Sequence, residues 1–343
     1  MRTSLFCFLF GWLVLIGTAA GQQKKPALID PTKVDADFDV QGEYVGAISE
    51  DGKAQKYGVR VGITQNVGEF KAIAYRGGLP GAGWDKKFFD EKNKRLVEWS
   101  GQTKDGSTAF PKFLRGSAVV RNGVMTVVAP GGDTIGELKR VIRQSPTLGA
   151  KPPPGAVVLF DGNGLDHFVL PRSKMTDDKL LMIGARTKQS FTEFSLHLEF
   201  RVPYLRSPGH SAVFLQNSYH LAVAGRSFGT GAVSDLGCGG IRWVRAPDEN
   251  MCLPPLTWQT FDVDYTAARF GGDGKIVQKP IVTVRQNGVL IHDRVELPDM
   301  PPFYRGGGTD PLSPQGGPLQ FQSHADDRHY VYRNIWVLER KQQ

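Results

Sequence analysis

Residues 194–223 read FSLHLEFRVPYLRSPGHSAVFLQNSYHLAV, and this stretch decides the fold class. Leu196, Leu198, Phe200 and Val202 alternate with His197, Glu199 and Arg201, the period-2 pattern of a half-buried strand. Its apolar side is expected to face a core. Its other side carries an imidazole, a carboxylate and a guanidinium, and is expected either to meet water or to line a cleft. A loop over 203–209 then leads into two further predicted strands, 212–216 and 219–223, separated by Asn217-Ser218. Three neighbouring strands predict a sheet.

Working outward, the same grammar recurs toward the C-terminus. Residues 156–160 form an apolar run closed by the turn Asp161-Gly162-Asn163-Gly164, and 258–265 place Phe261, Val263 and Tyr265 on one face. Residues 281–286 and 289–292 flank Asn287-Gly288, a strong hairpin signal, and 319–322 and 330–338 complete the set. About ten short strands with no helical period predict an all-β fold, here a two-sheet jelly-roll sandwich.

Toward the N-terminus, 42–48, 57–64 and 70–75 read as short strands, and 117–128 as a hairpin turning at Asn122-Gly123. The glycine-rich run 77–85 lacks the Lys-Ser/Thr ending of a phosphate cradle and reads as a connector that lets Trp84 pack. Residues 146–155, PTLGAKPPPG, predict a stiff proline-rich linker. The expected organisation is a signal segment over 1–20, a small β-rich domain over 21–145, the linker over 146–155 and the sandwich over 156–343. The signal rests on Arg2, the apolar run 5–16 and the small residues Thr18-Ala19-Ala20. That run is short for a membrane span, so a secreted or periplasmic protein is expected, without an integral membrane segment after signal removal.

With the signal removed, Cys238 and Cys252 remain, and in an oxidising compartment they are expected to pair. Such a bridge would contribute about 3 kcal/mol on the chain-entropy estimate. No His or further Cys stands at ligand spacing around them, and Asp262 and Asp264 are not spaced as a calcium loop, so no metal and no cofactor is expected.

The chain carries 42 basic and 34 acidic residues, net +8. Residues 24–151 hold 21 basic and 15 acidic side chains, whereas 156–343 hold 20 and 19. The near-neutral second half suits an uncharged ligand better than nucleic acid. The scattered lysines of the first half, without interleaved aromatics, fit a solvated surface or contact with an anionic envelope polymer.

Seven phrases in order carry a family resemblance: 158–162 (VLFDG), 194–201 (FSLHLEFR), 211–216 (SAVFLQ), 258–262 (WQTFD), 287–290 (NGVL), 317–319 (GPL) and 333–336 (RNIW). Together they resemble the 3-keto-disaccharide hydrolase domain family, also described as 3-keto-glucoside lyase or hydratase domains, over 156 to about 340. The resemblance implies a concanavalin-like sandwich, export, and action on glycosides whose sugar is a ketone at C3. Such a ketone acidifies the C2 proton, so a base can remove it while the glycosidic oxygen leaves from C1 and donors stabilise the enolate. The chain departs from the family pattern at His220 and Ala222, which replace a glutamate and a glutamine. It departs again at Gly225-Arg226 and at Ser323, where aspartates are expected.

The candidate catalytic residues are Glu199, His220 and His324. Arg201, Gln216, Trp243 and Arg333 are candidate substrate-binding residues. Each has a structural alternative: a cross-strand pair for Glu199 and Arg201, an exposed strand position for His220, a core role for Trp243. Three function classes follow. They are a 3-keto-glycoside-cleaving enzyme, a glycan-binding module that has lost the family's carboxylates, and a basic envelope structural protein.

Overall fold

The computed structural model describes residues 30–87, 96–170, 173–206, 211–224, 238–300, 310–322 and 329–340. The expected signal segment, His324 and Gly225-Arg226 lie outside them. The architecture is all-β, built from several sheets, one of them a closed barrel.

The barrel is an eight-stranded antiparallel meander: β1 (Gly42–Glu50), β2 (Lys53–Ile63), β3 (Glu69–Arg76), β4 (Glu98–Lys104), β5 (Ser107–Phe113), β6 (Gly116–Arg121), β7 (Val124–Val128) and β8 (Thr134–Val141). It closes by pairing β1 with β8, from Glu43 opposite Val141 to Ile48 opposite Gly136. Three two-residue turns drive the meander: Asp51-Gly52, Asp105-Gly106 and Asn122-Gly123 all have positive φ at both positions, as the hairpin turns matched to strand twist require. The barrel interior is filled by Tyr44, Tyr57, Val59, Phe70, Phe110, Phe113, Met125 and Leu138. At eight strands side chains fill the lumen, so this barrel encloses a core and not a channel. Trp84 packs edge-on against Tyr75, ring centroids 5.4 Å apart, as its glycine-rich connector allows.

The remaining strands are β9 (Val157–Phe160), β10 (Leu181–Met182), β11 (Arg186–Phe191), β12 (Phe194–Arg201), β13 (Ser211–Leu215), β14 (Tyr219–Ala224), β15 (Trp258–Thr266), β16 (Arg269–Phe270), β17 (Ile276–Gln278), β18 (Ile281–Gln286), β19 (Val289–Glu296), β20 (Gly317–Phe321) and β21 (Val331–Glu339). A seven-stranded sheet runs β10-β21-β12-β15-β18-β19 with β9 on β21, and a four-stranded sheet runs β11-β20-β13-β14. Both contribute to one core: Leu196, Leu198, Phe200, Phe261 and Val263 from the larger, Val213, Leu215, Leu221, Leu319 and Phe321 from the smaller.

The barrel is fastened to the larger unit by buried ions. Glu43, fully buried, accepts from Arg60 Nε at 2.9 Å and from Arg143, and Arg60 Nη1 reaches across to the Asn250 carbonyl at 2.7 Å. A second clamp joins Arg206 to Asp35 and Asp37 at 2.5 and 2.7 Å. Breaking one member of such a pair leaves an uncompensated buried charge, which is why these contacts hold two units in one arrangement.

One expectation is corrected here. Cys238 and Cys252 are free, buried thiols. Cys238 Sγ donates to the Val223 carbonyl and accepts from Gln286 Nε2 at 2.9 Å, and burial pushes its pKa well up. The first half of the proline-rich segment docks on the larger sheet, where Gly149 N donates to Glu199 and the Ala150 carbonyl accepts from Asn334.

Candidate functional site

The polar side of β12 is covered over His197 and Glu199, while Ser195 and Arg201 at its ends are half-buried. His197 is 0% and Glu199 1% exposed, because residues 145–150 lie across β12, β15 and β21 as a strap. Ser145 Oγ bonds Thr260 Oγ1 at 2.6 Å, Thr147 Oγ1 donates to Asp262 at 2.8 Å, and Gly149 N donates to Glu199 at 2.6 Å. The Ala150 carbonyl accepts from Asn334 Nδ2 and Trp336 Nε1. Beneath the strap, His197 stacks on Trp336 and holds Asp262 through Nδ1 at 2.6 Å. Glu199 also accepts from Arg333 Nε at 2.6 Å and Asn334 at 3.0 Å.

The electrostatics follow from this packing. Burial pushes the Glu199 carboxyl up, but hydrogen bonds from His197, Asn334, Gly149 and Arg333 outweigh it and bring it down to about 2. For His197 burial acts downward, and the bonds to Asp262 and Glu199 reverse it to a raised value. A carboxylate held this firmly is a structural anion, not a base awaiting a proton. Arg333 and Arg201 both lie over the Trp258 ring, at 4.0 and 5.1 Å from its centroid, at the edge of this covered face.

The outer face of the four-stranded sheet is built differently. Strand register places Arg186 opposite Gln320, Gln320 opposite Phe214, and Phe214 opposite His220. Beyond β14 the chain returns along its edge: Gly239 N donates to Ala222 O and Arg242 N to His220 O. Ile241 from this return enters the core, so alternation puts Arg242 on the outer side with His220. One row therefore runs Arg186, Gln320, Phe214, His220, Arg242 across the sheet. It grades from exposed Arg186 to His220 at 4% exposure.

A parallel row, Gln322, Ala212, Ala222, lies beside it. The two alanines keep this strip low, and Gln322 reaches over Ala212 to bring Oε1 within 3.1 Å of His220 Nε2. With the amide oxygen accepting, Nε2 bears the proton and Nδ1 is the basic nitrogen. Phe214 presents its ring edge-on to the imidazole at 5.2 Å. Over the β11 and β20 end of the face lies a cleft of about 770 Å³ with Lys174, Arg186, Lys188, Ser190 and Gln320 on its walls. Among the described residues the carboxylate at this end is Asp310, paired with Arg186 at 3.2 Å.

The structure thus separates the expected site residues. Glu199, Arg201 and Arg333 belong to the larger sheet and its strap, whereas His220 belongs to the smaller sheet. The convergence expected of Glu199 and His220 is absent, and His324 lies outside the described residues. Gln216 is engaged within the fold: its amide donates to the carbonyls of Phe191 and Thr192 and accepts from Tyr265 OH, fastening the loop after β13. Trp243 is 68% exposed with the Arg242 guanidinium 5.6 Å from its ring, a platform at the β14 edge and not a core residue. Sequence reading did not single out Arg186, Gln320 or Phe214. The phrase Gly317-Pro318-Leu319 pointed to their neighbourhood without assigning faces. No cluster of three or more His, Cys, Asp or Glu side chains among the described residues is arranged to hold a metal ion.

A family profile described as a 3-keto-alpha-glucoside-1,2-lyase-like domain matches residues 155–338. No curated protein matches the chain. Among solved structures, the chain is similar to a protein from Parabacteroides distasonis ATCC 8503 assigned as a glycosyl hydrolase. The identity is 28% and the TM-score 0.46, over 55% of this chain and 84% of that one. It is also similar to the sialidase of Trypanosoma rangeli at 9% identity and a TM-score of 0.32, over 87% of this chain and 50% of that one.

Proposed function

The chain belongs to the 3-keto-alpha-glucoside-1,2-lyase-like domain family, and from that premise we propose that it is an exported carbohydrate-active enzyme that cleaves 3-keto-glycosides by elimination on the outer face of its four-stranded sheet. The observation that carries this reading is the row Arg186, Gln320, Phe214, His220, Arg242, with Gln322 fixing the imidazole. In this reading the β-strands of residues 156–343 form a jelly-roll domain following a separate barrel domain over 21–145.

The chemistry is compact. In this reading the His220 imidazole takes the C2 proton, the C–H electrons form the C1–C2 double bond, and the C1–O bond breaks with its electrons on the leaving oxygen. The imidazolium then returns the proton to that oxygen. Arg242, next to His220 along the row, offsets the negative charge that develops on the C3 oxygen, and Arg186, three strands away at the cleft end, meets the far side of the substrate. Gln320 and Trp243 present hydrogen-bonding and stacking surfaces for the sugar. Glu199 takes no part, because its carboxylate is spent on the strap.

The test is turnover of methyl 3-keto-β-D-glucopyranoside, followed by absorbance of the conjugated enolone product. Wild type should form product, and His220→Ala should lower turnover by about 100-fold or more while leaving the melting temperature near its original value. Product formation unchanged in His220→Ala would sink the assignment. Saturable sugar binding without any turnover would favour the binding-module reading, which the scarcity of carboxylates among the described residues of this face also supports.

A further inference from the structure

The cleft over β11 and β20, about 770 Å³ in volume, has Lys174, Arg186 and Lys188 on its walls, all three exposed, and no wall residue is acidic. Among the described residues its carboxylate is Asp310, 3.2 Å from Arg186 Nη2, and Lys174 and Lys188 are held by none. Both members of that pair are nearly half exposed, so the contact is weak and leaves most of the guanidinium N–H groups open to a ligand. Three cations against one carboxylate leave an excess of two positive charges, which the near balance of 20 basic and 19 acidic residues over 156–343 conceals. A cleft lined by one sign of charge focuses its field on whatever enters.

The rest of the wall sorts simply. Thr187 Oγ1 is already engaged, donating to the Gln189 carbonyl and accepting from Leu319 N. Ser190 and Gln320 add a hydroxyl and an amide, and Val169 and Pro318 add apolar surface. The volume lies in the upper part of the roughly 300–1,000 Å³ typical of small-molecule sites, so the cleft holds a whole ring and not just a lone ion.

The order of residues along the row identifies which part of the substrate meets these cations, a step that rests on the elimination reading above. With C2 at His220 and the C3 oxygen beside Arg242, C1 and its leaving oxygen lie on the other side of C2, toward Phe214 and Gln320. Strands β14 and β11 are the two ends of the four-stranded sheet, three strand spacings or about 14 Å apart. One sugar ring does not span that distance. What reaches Arg186 and the two lysines is therefore the leaving group.

We propose that the substrate's leaving group carries an oxyanion, such as a carboxylate, seated against Arg186, Lys174 and Lys188. The guanidinium fork suits two oxygens of one anion, and the lysines add point charges on either side of the same cleft.

Two substrates that differ only in this charge provide the test: 4-carboxyphenyl 3-keto-β-D-glucopyranoside and its neutral isostere, the 4-carbamoylphenyl glycoside. Wild type should favour the carboxylate about tenfold or more in kcat/KM, and the double variant Lys174→Ala/Lys188→Ala should bring the two within about twofold. Equal kcat/KM in wild type, or a preference that survives in the double variant, overturns the proposal. Titration calorimetry of the full chain with the corresponding unoxidised glucosides needs no chemistry. Tighter binding of the carboxylate by wild type, lost in the double variant, supports the cationic subsite, and equal binding of the two overturns it. Absence of turnover of both keto-glycosides would sink the elimination reading, and the calorimetric comparison then decides alone whether the cleft takes an oxyanion.

Discussion

The two sheets of the larger unit carry polar outer faces that met opposite fates. On the seven-stranded sheet, His197, Glu199 and Asp262 look in sequence like a catalytic cluster, yet the strap over 145–150 covers them and every carboxylate oxygen of Glu199 is paired. On the four-stranded sheet the polar residues are fewer and farther apart in sequence, but strand register lines them up in one row whose Arg186 and Gln320 end walls a cleft and whose His220 end is 4% exposed. Polarity along a strand marks a face that needs partners. Whether those partners are chain or ligand depends on what crosses over the face, which a strand pattern does not encode.

The largest effect is expected on the covered face. Glu199→Ala strips Arg333 of its carboxylate and Gly149 N of its acceptor, and should cost about 3–5 kcal/mol in a urea unfolding experiment. A loss under about 1 kcal/mol would mean the strap is not held as described.

The pH dependence of the same face sharpens the contrast. Glu199 is lowered to about 2 from 4.5, so its contribution, on the order of 3 kcal/mol, is complete above about pH 4.5 and is lost as pH falls toward 2. His197 is raised from 6.5, so its contribution is complete below about pH 6.5 and is lost as pH rises through its raised folded value. The strap should therefore be tightest between about pH 4.5 and 6.5. Protection of the 147–150 amides, taken relative to intrinsic exchange at each pH, should be greatest in that window and fall on both sides, and a protection that does not change with pH would contradict the pairing. Ser145→Ala removes one hydroxyl bond to Thr260 and should cost about 1 kcal/mol, with no change in turnover.

Much of the fold was legible because the backbone advertises its turns. Asn122-Gly123 and Asn287-Gly288 mark hairpins that the structure contains, and the alternation through 194–201 marks β12. Asp105-Gly106 carried the same turn signal, and reading it would have yielded β4 and β5. Barrel closure was not legible, since the pairing of β1 with β8 joins segments about ninety residues apart through hydrogen bonds that any side chains can flank.

The site was half legible. His220 stood out as an imidazole where the family pattern has a glutamate. Arg186, Gln320 and Phe214 join it only through cross-strand register, which a single sequence leaves open. Glu199 misled because a buried, fully paired carboxylate and a catalytic one look alike until their neighbours are known. The thiols misled for a similar reason: compartment and loop length favour a bridge, but Val223 O and Gln286 already satisfy Cys238.

The most direct test sets the two faces against each other in one assay, turnover of methyl 3-keto-β-D-glucopyranoside by folded Glu199→Gln and folded His220→Ala. The account predicts that Glu199→Gln stays within about threefold of wild type while His220→Ala falls by about 100-fold or more. The reverse order, with Glu199→Gln inactive and His220→Ala active, would place the chemistry under the strap and contradict it.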